Sequence, residues 1–85
     1  MKSEIRDILK VYFRNNLLAA RGLANIPQDE MAHRLGISTR AYTALEDGDS
    51  CCGITTFLSF LIHACPDPNT FWEELLELLK EAEQV

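Results

Sequence analysis

Cys51, Cys52, His63 and Cys65 are the residues of this 85-residue chain whose types could hold a metal ion or carry redox chemistry. Such a site would need thiolates paired at metal-ligand spacing, and no Cys-x-x-Cys pair is present. Three cysteines are an odd number and two are adjacent, which does not make a secretory disulfide framework. They read as thiols that pack as small hydrophobes beside a helix. Covalent and acid–base chemistry find no foothold either. There are no paired carboxylates, no nucleophile with a neighbouring base and no phosphate-cradling glycine loop, so neither a catalytic site nor a cofactor is expected.

What remains is recognition, and here charge is informative. The net charge is −5, but its distribution is uneven. Residues 1–45 carry seven bases (Lys2, Arg6, Lys10, Arg14, Arg21, Arg34, Arg40) against four acids, a net +3. Residues 46–85 carry nine acids against Lys80 alone, a net −8. A chain divided in this way can present one face to phosphate and keep another away from it. No run of about 18 apolar residues occurs, so no membrane span is expected. The start, Met1-Lys2-Ser3-Glu4, turns amphipathic at once, and the expected location is the cytoplasm.

Length and a hydrophobic fraction of 47% allow one domain with one core, residues 1–85 together. The pattern predicts five helices. The first covers residues 3–20, capped by Ser3, with Ile5, Ile8, Leu9, Tyr12, Phe13, Leu17 and Leu18 at helical spacing and Gly22 at its end or at a bend. The second starts near Pro27, carries Asp29 and Glu30 at its positive end, buries Met31 and Leu35, and stops at Gly36. Ser38 caps a third helix to about Asp47, with Ala41, Tyr42 and Leu45 in register and Gly48 closing it. Residues 54–64 are nearly all apolar and predict a fourth helix buried on most sides. Pro66-Asp67-Pro68 ends it. The last helix, 69–84, starts with Asn69 or Thr70 as cap, and Thr70-Phe71-Trp72-Glu73 fits a capping box.

The segment 27–47 satisfies several constraints together. Two helices joined by a tight turn and crossing steeply need a small residue at the crossing, which Ala32 supplies. The turn needs positive φ, which Gly36 supplies. Ile37, Tyr42 and Leu45 must then reach back to the core shared with Met31 and Leu35. Read from Gln28 to Gly48, the stretch resembles the helix-turn-helix of Cro and the phage repressors, the XRE family. Leu18-Ala-Ala-Arg21 resembles the basic end of that family's first helix, and Glu46-Asp47-Gly48 the acidic residue and glycine that close its recognition helix. Residues 54–65 stand where the family has an apolar fourth helix. The likeness spans about residues 11–72 and implies an all-α, five-helix, lambda-repressor-like domain.

It also implies a transcriptional regulator that binds double-stranded DNA in the major groove, with helix 38–47 as reader. The residues carried over to base edges and to the start of that helix are Ser38, Thr39, Arg40, Thr43 and Ala44. Arg40 stands out, because a guanidinium pairs with guanine O6 and N7 in a bidentate fork. Gln28 matches the family's glutamine that touches backbone or base from the second helix. Arg21, Arg34 and His33 are candidate backbone contacts, although Arg34 can equally pair with Glu30 one turn earlier. Met31, Leu35 and Tyr42 read as core. Asp47 and Asp49 lie where such domains meet the phosphate backbone, and their carboxylates would repel it unless they point away.

The last helix carries two apolar lines, Phe71-Leu75-Leu78-Ala82 and Trp72-Leu76-Leu79. One line covers a small core and the other is left over. The surplus predicts a homodimer through Trp72, Leu76 and Leu79, which fits two-fold reading of palindromic half-sites. Glu73, Glu74, Glu77, Glu81 and Glu83 would form an acidic outer face turned from DNA. The acidic half also admits a second reading, a protein-interaction module of the same fold, antitoxin-like or a co-regulator subunit, engaging a protein partner.

Overall fold

The computed structural model describes residues 2–83, which fold into five α-helices: α1 Lys2–Ala24, α2 Gln28–Leu35, α3 Thr39–Glu46, α4 Ile54–His63 and α5 Pro68–Glu83. No strand occurs among the described residues. No helix is long and apolar enough to cross a membrane.

α1 begins at Lys2, so Ser3 lies within the helix rather than capping it. The helix also runs through Gly22, which an exposed helical position tolerates at modest cost. It stops instead at Asn25, whose φ of 55° is the left-handed conformation that asparagine adopts more readily than most residues. The Asn25 and Ile26 N–H groups donate back to the Gly22 and Arg21 carbonyls and complete the cap.

α2 and α3 follow their local signals closely. Pro27 is extended (φ −76°, ψ 169°) and gives way to Gln28 as the first helical residue. Gly36 takes φ 73°, and its N–H donates to the Ala32 and His33 carbonyls. The Ser38 hydroxyl accepts from Ala41 N–H at 3.1 Å, the bond expected of an N-cap serine. Asp47 is the last residue of the third helix's frame, and Gly48 follows with φ 76°. α2 packs on α3 with Met31, Ala32, Leu35, Tyr42 and Leu45 all buried between them and the rest of the core. Ile37 is only partly buried, and Ala41 faces out.

Phe13 is buried in an aromatic cluster that joins α1, α4 and α5. Its ring meets Phe60 edge-on at 5.2 Å and stacks with Phe57 at 5.9 Å, while Phe71 closes the cluster 5.4 Å from Phe60. Aromatic pairs at such separations add packing energy beyond the area they bury. α5 is tied to α1 by the Tyr12 hydroxyl, which donates to the Phe71 carbonyl at 2.7 Å.

Two helices differ from the expected pattern. α4 buries Phe57 and Phe60 but exposes Ile54 (71%), Leu58 (48%) and Ile62 (74%), so it is covered on one side and not on most sides. Among the described residues no further layer covers that side. α5 begins at Pro68, one residue early, and its cap is Asp67 instead of Asn69 or Thr70. The Asp67 carboxylate accepts from Thr70 N–H at 3.2 Å and from the Thr70 hydroxyl at 2.7 Å. Proline suits the first helical position because its missing N–H would go unpaired there anyway. Gln84, the expected last residue of this helix, lies outside the described residues.

Candidate nucleic-acid interface

The amino-terminal turn of α3 leaves the core with its side chains outward. Ser38, Thr39 and Arg40 are exposed, and Thr43 and Ala44 one turn later are half-buried. Ser38 spends its hydroxyl on the cap. Among the described residues no ion pair engages Arg40. Arg34 pairs with Glu30 at 3.1 Å on the exposed face of α2, the i,i+4 alternative read from the sequence. His33 is exposed on the same helix.

Arg21, Gln28 and Thr43 come together around Glu46, which the sequence marked only as the acidic residue closing the third helix and not as a partner of these side chains. Its carboxylate is buried against the core at 6% exposure, and three donors reach it. Arg21 grips both oxygens, Nε to Oε2 at 2.7 Å and an Nη to Oε1 at 3.1 Å. The Gln28 amide donates to Oε1 at 2.9 Å. The Tyr42 hydroxyl donates to Oε2. Thr43 then hydrogen-bonds the Gln28 amide oxygen at 3.2 Å. Arg14, also missed, donates from Nε to the Glu46 carbonyl at 2.9 Å and so satisfies the end of α3 from α1.

The electrostatics follow from this arrangement. Burial alone would raise the Glu46 carboxyl, but the bonds from Arg21, Tyr42 and Gln28 and the Arg21 charge outweigh it and hold the group below its ordinary value. The Tyr42 phenol is pushed well above its usual range by burial and then by the adjacent carboxylate. Glu46 is therefore ionised and serves only as acceptor. The signals were present in part: Tyr42 and Glu46 are four apart and share a face of α3. The pairing with Arg21, 25 positions away, needed the tertiary structure.

Asp47 and Gly48 line a surface cleft with Asp7, Lys10, Val11 and Arg14, so two bases and a second carboxylate from α1 share it. Asp49 is exposed, and its N–H donates to the Ala44 carbonyl at 2.9 Å.

On α5 the apolar lines are divided differently from the sequence pattern. Phe71 and Leu75 are buried, Leu79 packs partly against the core, and Leu78 is 40% exposed. Trp72 is 48% exposed with its ring edge-on to Phe57 at 6.2 Å, and Leu76 is half-buried. Trp72 and Ile54 line one apolar groove together with Leu9, Cys52, Phe57 and Leu75. None of the three cysteines is in a disulfide, and Cys52 and Cys65 pack partly against the core. No cluster of metal-ligating residues occurs among the described residues. No protein-family model, curated protein or solved structure matches the chain.

Proposed function

We propose that this chain is a lambda-repressor-like helix-turn-helix domain that binds double-stranded DNA and acts as a transcriptional regulator. The observation that carries the reading is the outward first turn of α3, where Thr39 and Arg40 stand exposed on a helix anchored by buried Tyr42 and Leu45. A short rigid helix with polar side chains at its start suits insertion into the major groove. Gln28 and Thr43 lie beside it, joined to each other. In this reading the chain works by recognition, and the polar cluster around Glu46 serves to hold α3 in place.

It acts as a homodimer. The apolar surface for this combines Trp72 with the exposed α4 stripe of Ile54, Leu58 and Ile62, which Trp72 joins across the groove it shares with Ile54. The same uncharged stripe favours the second reading, a module that engages a protein partner. Fluorescence anisotropy against a randomised duplex pool at several salt concentrations separates the two. The DNA reading expects affinity that falls linearly as log salt rises, with a slope set by the phosphates contacted. A folded chain that gives flat anisotropy at low salt would leave the protein-partner reading standing alone.

A further inference from the structure

The hydrogen bonds around Glu46 determine which way the Gln28 amide faces. An ionised carboxylate offers only acceptors. The group of Gln28 that lies 2.9 Å from Glu46 Oε1 is therefore its NH2. This turns the amide oxygen towards Thr43 Oγ1 at 3.2 Å, and an amide oxygen only accepts. Thr43 must donate, and a hydroxyl has one proton to give.

From this geometry we infer that Glu46 is a positioning residue: through Gln28 it commits the Thr43 proton inward, so that Thr43 meets DNA only as an acceptor and a methyl group. The inference rests on the DNA reading proposed above. Flipping the amide would set its oxygen against the Glu46 carboxylate and lose the bond between them, and Arg21 and Tyr42 keep that carboxylate from moving away. Gln28 retains one N–H and one lone pair, the donor–acceptor pair that adenine N7 and N6 accept and supply.

Thr43 is the more restricted of the two. Adenine and cytosine offer it an amino donor and thymine a methyl group, whereas guanine presents acceptors only. Phosphate oxygens are excluded for the same reason. Thr43 thus selects against guanine at the base it faces, and the residue enforcing this, Glu46, makes no contact with that base.

The experiment has two arms. In the free protein, NMR should show the two Gln28 side-chain amide protons well separated and exchanging slowly with water. In the second arm, anisotropy is measured on duplexes carrying each of the four bases at every position of the selected site. The position that responds to Thr43→Val is the one Thr43 faces. There the wild type should disfavour guanine by about tenfold. Gln28→Met, which frees the proton, should reduce that discrimination at least threefold. In the Thr43→Val background the Gln28→Met change should leave this position unaffected. An unchanged guanine penalty in Gln28→Met, or effects of the two substitutions that simply multiply, would overturn the inference. An amide that rotates freely overturns the relay while leaving the DNA reading in place. A wild type that binds no duplex while its amide is held overturns the DNA reading, and Thr43's role with it.

Discussion

Arg21 and Glu46 face each other across the α1–α3 junction, the guanidinium reaching both carboxylate oxygens at 2.7 and 3.1 Å. The arginine is assigned by this contact to holding α3 on α1. With Tyr42 and Gln28 as further donors, the cluster leaves no buried side-chain nitrogen or oxygen without a partner among the described residues. A polar core of this kind stabilises only as a complete set, since removing one member strands the others.

The pair therefore makes stability dependent on acid. The folded-state carboxyl of Glu46 lies below its ordinary value of 4.5. Its contribution is fully present above that value and is lost as pH falls through the lower, folded value. Thermal unfolding should show a stability plateau above about pH 5 and a decline below it. Glu46→Gln should lower stability by about 3 kcal/mol at neutral pH and flatten the acid limb. Asp67, held low by its bonds to Thr70, adds to the same limb, so Asp67→Asn serves as the control. An acid limb unchanged in Glu46→Gln would contradict this account.

Arg40 is the exposed base of α3, with no ion-pair partner among the described residues. Arg40→Ala should leave the melting temperature almost unchanged, because surface substitutions usually stay within about 0.5 kcal/mol. Binding to the selected duplex should weaken by about 1–3 kcal/mol, concentrated at one base position. A uniform loss across all sequences would make Arg40 a phosphate contact instead.

The proposed dimer face is tested by charge. Leu58 is half-exposed in the middle of the α4 stripe, and Leu58→Lys should leave the monomer folded. Sedimentation equilibrium should show dimer association at least tenfold weaker in this variant, since an unpaired lysine would be desolvated at the contact. Equal dissociation in wild type and variant would move the interface away from α4.

Cys52 sits in the groove beside Trp72, and burial, with a smaller effect from Cys51, pushes its thiol from 9.0 up to about 11. Because the thiolate is the nucleophile, a shift of this size lowers its reactive fraction at neutral pH by about a hundredfold. Site-resolved alkylation with iodoacetamide should find Cys52 far slower in the native protein than after denaturation. Similar rates in the two states would show that the groove does not protect it.

Much of this fold was legible in local sequence because its determinants act within one turn of chain. Gly36 and Gly48 take positive φ and Ser38 caps α3 as their types and positions demand. Met31, Ala32, Leu35, Tyr42 and Leu45 are buried as their spacing requires. The structure departs from the pattern at two helix ends: α1 runs past Gly22 to stop at Asn25, and α5 is capped by Asp67 in place of Asn69 or Thr70. Helix propagation through an exposed glycine and proline's preference for the first helical position decided these ends.

What the sequence by itself determined is the frame of α2, α3 and the turn between them, since capping, periodicity and turn conformation depend on neighbours in the chain. Only the tertiary structure decided where the polar side chains are spent. Arg21, Gln28 and Thr43 read alike as surface groups free to meet a ligand, yet they are drawn together by a carboxylate on α3. Burial of Glu46 forces that outcome, because a charge removed from water must be met by donors from whichever helices the packing brings near.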